Sequence, residues 1–180
     1  MLNIVLFEPE IPPNTANIIR TCFALGAKLH IIKPIGFDLD PKYLSRAAAG
    51  RLLSDIPHEI HNSYADFHKL YKDKTIWYLT RYGLKSYTDD NVFKKSYAKD
   101  KEIWIMFGKE STGIDKNILM NDIDHCLRIP MVSAMRSINL ANSVVIVGFE
   151  VMRQLKFKDL NCFETEKGKY FLLENKEKKN

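Results

Sequence analysis

The residues best able to do chemistry sit in three short polar stretches, 8–14 (EPEIPPN), 108–115 (GKESTGID) and 131–139 (MVSAMRSIN). Each follows an apolar run and leads into a run with helical spacing, so each reads as a loop between a strand and a helix N-terminus. Carboxylates, amides, hydroxyls and basic groups in such places hold polar ligands. The third stretch is the richest. Ser137 and Asn139 stand where helix N-caps belong, just ahead of a segment in which Leu140, Val144, Val147, Val151 and Leu155 recur at helical intervals. A strand end, a polar loop and an open helix N-terminus together describe a ligand site. Gly108 and Gly113 by themselves would indicate only tight turns, a reading that weakens when three polar loops share one sheet edge.

Several familiar chemistries are excluded. The strand-to-helix turns hold no GxGxxG, the order GxxxxGK followed by Ser or Thr is absent, and there is no GxSxG elbow. Cys22, Cys126 and Cys162 are far apart and form no CxxC pair, which indicates neither a disulfide framework nor a zinc site. His58 and His61 are close in sequence but lack an evident third ligand, so both are read as surface residues and no metal is assigned.

The elements that must position these loops alternate. Strands are expected at Leu2–Phe7, Lys28–Lys33, around His58–His61, at Thr75–Thr80, Glu102–Gly108 and through HCLRIP. Helices are expected from Asn14, as a cap, to Gly26; from Asp40 to Gly50; after Ser63; after Asp115; and after Asn139. Residues 81–100 are polar, basic and interleaved with tyrosine, and are read mainly as loop. Apolar strands separated by helices of about ten residues imply an α/β fold, a parallel sheet with helices on both faces. Ligands then bind beyond the carboxyl ends of the strands.

With 180 residues the chain suits one domain, here residues 1–158, followed by a charged C-terminal tail over 159–180. The formal charge of +5 and the pI near 9.0 are compatible with a polyanionic partner such as RNA without requiring one. No apolar run is long enough to span a membrane, and MLNIVLFEPEIPP lacks the form of a secretory signal, so a cytoplasmic protein is expected.

The stretches EPEIPPNTANIIRTC, FGKESTGI and RIPMVSAMRSINLANSVVIVGFEVMRQL resemble, in order and spacing, the three motifs of the SPOUT RNA ribose methyltransferases. The resemblance runs from Leu2 to about Leu155 and is greatest to the group that methylates the tRNA wobble nucleotide, the tRNA (cytidine/uridine-2′-O)-methyltransferases. It implies a SPOUT fold with a C-terminal deep trefoil knot, which general topology rules would not suggest. It also implies a homodimer, tRNA as substrate and S-adenosyl-L-methionine as methyl donor, with no metal. The positions matching cofactor contacts are Leu79, Gly108, Ile129 and Ser137. Arg20 matches the arginine given the central catalytic role, with Ser137 and Asn139 helping to hold the cofactor or the hydroxyl. Asn17 matches the motif asparagine that orients this arginine or the ribose, Arg136 is a candidate RNA-phosphate contact, and Glu110 matches a glutamate that braces the knot or takes part in the chemistry. Ala16, Thr112 and Phe149 depart from the usual pattern of glycine, arginine and tyrosine, which bears on substrate choice more than on reaction type. A ribosomal RNA 2′-O-methyltransferase and a non-catalytic RNA-binding relative are the alternatives.

Overall fold

The computed structural model describes residues 1–40, 44 and 50–177; the helix expected over 41–50 lies largely outside these residues. Seven strands, β1 (Leu2–Phe7), β2 (Lys28–Ile32), β3 (His58–His61), β4 (Ile76–Leu79), β5 (Lys85–Ser86), β6 (Ile103–Phe107) and β7 (Cys126–Arg128), form one sheet in the order β3-β2-β1-β6-β4-β7-β5. Every pairing is parallel. The helices are α1 (Pro12–Leu25), α2 (Tyr64–Tyr71), α3 (Val92–Asp100), α4 (Lys116–Asn121), α5 (Leu140–Gln154) and α6 (Phe171–Glu177).

Alternation along the strands builds two cores, one on each face of the sheet. Leu2, Ile4 and Leu6 of β1 join Ile103, Ile105 and Phe107 of β6 beneath α1, α3 and α5. Val5, Phe7, Trp104 and Met106 point the other way, against Phe67 of α2 and Leu119 of α4. This double burial is why the strands read as continuous apolar runs. β1 leads to its neighbour β2 on one side, whereas β6 leads towards β7 on the other. Their loops therefore leave the sheet side by side and diverge, the position at which doubly covered parallel sheets bind ligands.

Local reading of the sequence fails at four places. Helix α1 starts at Pro12 with Ile11 as its N-cap and no side-chain cap, so Asn14 lies inside the helix and does not cap it. Ser137 is likewise no cap, since α5 starts at Leu140 and Asn139 alone fills that role. Residues 81–100 are not mainly loop: they contain β5 and α3. The N-cap of α3, Asn91, lies in the left-handed region with no side-chain cap of its own. The buried Gln154 carbonyl instead accepts from the N–H groups of Phe93 (3.0 Å) and Lys94 (3.1 Å), a cap delivered from α5. Finally, His61 is buried among aromatic rings, while His58 is exposed as expected.

Candidate active site

Three loops leave the carboxyl edge of the sheet and are tied to one another by side chains. The loop after β1 and the loop after β6 are joined most densely. Ser111 donates to Glu10 from both its backbone N–H (2.9 Å) and its hydroxyl (2.8 Å), and these bonds hold the Glu10 carboxyl below its ordinary pKa. Lys109 pairs with Glu8 at 2.7 Å, a hydrogen bond that raises the lysine pKa. In the opposite direction, Glu110 accepts from the N–H of Glu10 (3.0 Å) and of Ile11 (3.3 Å). Two donors just ahead of α1 are thereby satisfied by a carboxylate from another loop. Negative charge at a helix N-terminus is favourable in its own right.

The third loop joins through a relay of amides. Asn139 accepts from the N–H of Asn142 at 3.2 Å, capping α5, and donates from Nδ2 to Asn14 Oδ1 at 2.8 Å. Asn14, buried, donates in turn to Glu110 Oε1 at 2.8 Å. One hydrogen-bonded line thus runs from α5 through α1 to the loop after β6. Asn139 and Asn14 are 125 residues apart and Asn14 and Glu110 are 96 apart, so spacing in the sequence carries no sign of it. Glu110 links the loop after β6 to the start of α1, through bonds to Glu10, Ile11 and Asn14 that local reading missed.

Arg20, Asn17 and Asn139 line a cleft of about 620 Å³ between α1 and α5, together with Asn14, Asn142 and Phe149. Arg20 is exposed, and among the described residues its guanidinium has no hydrogen-bond or ion-pair partner. It therefore serves no visible structural purpose and is available to an anion. Ala16 is fully buried in α1 and belongs to the core, away from the cleft, while Thr112 is exposed on its loop.

Leu79, Gly108 and Ile129 gather at a second place. Leu79 ends β4 and pairs with Phe107 of β6 on one side and Leu127 of β7 on the other. Gly108 directly follows Phe107, and Ile129 follows β7, so all three stand at the ends of adjacent strands. Leu79 and Ile129 are half-buried and pack against the core with part of their surface left open. A Cβ on Gly108 would lie 2.3 Å from the Gly113 carbonyl carbon and from the Ile114 nitrogen, so only glycine lets the loop fold back on itself there. Gly113, with φ +79°, makes the turn that brings it back. The chain between the two places, residues 130–138, carries Arg136 and Ser137, both exposed.

A profile of the SpoU rRNA Methylase family matches residues 1–149. The chain is 40% identical over 160 residues to a tRNA (cytidine(34)-2′-O)-methyltransferase of Saccharophagus degradans, covering 87% of this chain and 97% of that one. To the protein of the same name in Escherichia coli it is 39% identical over 163 residues, covering 87% and 96%. Among solved structures, one described as giving insight into 2-OH methylation of C/U34 on tRNA superposes with a TM-score of 0.76 at 32% identity, covering 88% and 98%. An AdoMet-bound rRNA methyltransferase of Sinorhizobium meliloti superposes at 0.72 and 25% identity, covering 86% of this chain but 56% of that longer one. The chain belongs to the SpoU methylase family. Within that family it is similar along almost its whole length to the tRNA (cytidine(34)-2′-O)-methyltransferases.

Proposed function

We propose that this chain methylates the ribose 2′-hydroxyl of the pyrimidine at the wobble position of tRNA, using S-adenosylmethionine. The methyl passes from sulfonium sulfur to ribose oxygen, the broken S–CH3 bond leaves S-adenosyl-L-homocysteine, and the hydroxyl proton passes to water. The donor brings an activated methyl group when bound, so the protein's task is placement and charge management. Leu79 and Ile129 suit the two walls of an adenine pocket, with Gly108 allowing close approach of backbone; open apolar surface beside strand-end peptide groups fits such a ligand. Ser137 stands on the loop that connects these walls to the cleft.

The observation that carries the catalytic reading is Arg20, exposed and, among the described residues, without a side-chain partner in the cleft that it shares with Asn17 and Asn139. A guanidinium stays protonated in proteins and is a poor proton acceptor. Arg20 is suited instead to stabilise the alkoxide that develops on the 2′-oxygen and to hold an adjacent RNA phosphate. Asn17, one turn earlier on α1, orients the ribose or Arg20, and Arg136 contributes a phosphate contact. The Asn139–Asn14–Glu110 line keeps α1 and α5 at the spacing that this arrangement requires.

The unit is a homodimer in this reading, formed across the outer faces of α1 and α5, so that the Arg20 cleft, which Val145 and Phe149 also line, opens at the subunit interface. Phe23 of α1 and Val145, Ile146 and Phe149 of α5 leave large apolar side chains exposed there, a composition suited to burial. The trefoil knot belongs to the same proposal, as does the division into a catalytic unit over residues 1–158 and an appended tail. A close approach of two distant segments fits the knot: a Cβ on Gly83 would lie 2.5 Å from the Leu127 carbonyl carbon. The reading is tested by incubating the protein with methyl-labelled S-adenosylmethionine and tRNA from cells lacking the enzyme. Label should enter tRNA, and Arg20→Lys should abolish transfer; undiminished turnover by that variant would overturn the role given to Arg20.

A further inference from the structure

On the sheet face opposite the α1–α5 cleft, two histidines and a glutamate converge. His30 lies on β2 beside Glu59 of β3 in the parallel register, and His61 follows two residues later on the same face as Glu59. The His30 and His61 rings are 0% and 5% exposed, while the Glu59 side chain, at 39%, opens the cluster to solvent. His30 Nδ1 and His61 Nε2 are 3.1 Å apart, and Glu59 Oε2 is 3.8 Å from each. A point equidistant from these three atoms lies about 2.1 Å from each, within the range of zinc–nitrogen and zinc–oxygen bonds.

We propose that His30, Glu59 and His61 bind one first-row divalent cation, with Zn²⁺ the best match, and that this ion fastens the edge strand β3 to β2. Two imidazoles and one carboxylate select zinc-like ions over magnesium or calcium, which take oxygen sets. The surroundings are those of a held ligand set. Asn3 Oδ1 faces His30 Nε2 at 3.4 Å, the partner that leaves the Nδ1 lone pair directed at the cluster. Lys28 holds the other Glu59 oxygen at 2.6 Å, which keeps Glu59 a single-oxygen ligand. The Tyr71 hydroxyl donates to Glu59 Oε2 at 2.5 Å and steadies that carboxylate, and water would complete the coordination. Phe67, Tyr71 and Trp104 ring the histidines and exclude bulk water. In the metal-free chain the same two nitrogens share one hydrogen bond. The ion replaces that bond.

The test uses the full chain stripped with a chelator, then titrated with Zn²⁺ alone against a chromophoric competitor, with the melting temperature followed in parallel. One ion per chain should bind and raise the melting temperature. His61→Gln should weaken that binding by more than the roughly 10–100-fold typical of a lost outer-shell partner. His58→Ala, at the exposed neighbour, should leave it unchanged. Glu59→Gln, at the open rim, provides a second ligand variant if His61→Gln does not fold, and should weaken binding similarly. Binding that none of the ligand variants alters, or that His58→Ala abolishes, would overturn the proposal, as would the absence of stoichiometric binding. Methyl transfer is not the readout, so failure here is separate from failure of the catalytic reading.

Discussion

Replacing Asn14 by aspartate changes one amide to a carboxylate where Asn14 donates to Glu110 Oε1 at 2.8 Å and accepts from Asn139. In Asn14→Asp two carboxylates would meet at that separation. At an effective dielectric near 20 the repulsion is about 6 kcal/mol, an upper bound. The pair escapes part of it by taking up a proton, and holding an aspartic acid protonated at pH 7 costs about 4 kcal/mol relative to its ordinary pKa. The expected loss is therefore roughly 3–4 kcal/mol, or about 6–16 °C in melting temperature for a chain of this size. The sign with pH follows. The introduced aspartate has a raised pKa in the folded protein, so the penalty grows with pH until the folded pair has lost its proton and shrinks as pH falls towards the ordinary aspartate range. Adding Glu110→Gln should reverse most of it: the new glutamine amide donates to the introduced carboxylate, its oxygen accepts from the Glu10 N–H, and that carboxylate still accepts from Asn139. Only the exposed 3.3 Å bond from Ile11 is lost, a cost of about 0.5–1 kcal/mol. Thermal melts of the wild type, both single variants and the double variant give the coupling energy. A double variant no more stable than Asn14→Asp alone would refute the line of bonds that joins the three loops.

Three other outcomes follow from the geometry. Gly108→Ala drives a methyl into the Gly113–Ile114 backbone and should destabilise the chain by about 1–3 kcal/mol or more while weakening S-adenosylmethionine binding, as read by melting and calorimetric titration. Phe149→Lys places a charge on the exposed apolar face of α5 and should shift sedimentation from the proposed dimer towards monomer, with the secondary structure retained by circular dichroism. In the native state a thiol reagent should modify Cys162 alone: burial pushes the Cys22 thiol up to about 12 and raises that of Cys126 as well. Rapid modification of a second thiol would contradict the packing of the core that holds it, Cys22 in one and Cys126 in the other.

The sheet was legible because its strands are buried on both faces: LNIVLF and EIWIMF are apolar at nearly every position, and only a doubly covered parallel strand needs that. Helix α5 was legible through its periodicity and its own cap, Asn139. What escaped local reading is stabilised from a distance. Helix α3 lacks a neighbouring cap because Gln154 supplies one from 60 and 61 residues away, and α1 begins without a side-chain cap because Glu110 reaches across from the next loop. The same limit applied to the site. That Arg20 and Asn139 share a cleft, and that Leu79, Gly108 and Ile129 stand on adjacent strand ends, depends on a strand order in which β6 inserts between β1 and β4. His61 looked superficial because its partners are a β2 histidine 31 residues earlier and two rings from α2, Phe67 and Tyr71, none marked by spacing.

The central claim is that the Arg20 cleft directs a methyl group to one ribose in tRNA. It is tested most directly by digesting tRNA, treated with the wild-type protein or with Arg20→Ala, and mapping methylated nucleosides by mass spectrometry. The account predicts a 2′-O-methylated cytidine or uridine at the wobble position with the wild type and none with Arg20→Ala, although Arg20→Ala should melt within about 0.5 kcal/mol of the wild type, as expected for an exposed residue with no partner among the described residues. Methylation at another position, on a base instead of a ribose, or unchanged in Arg20→Ala would contradict it.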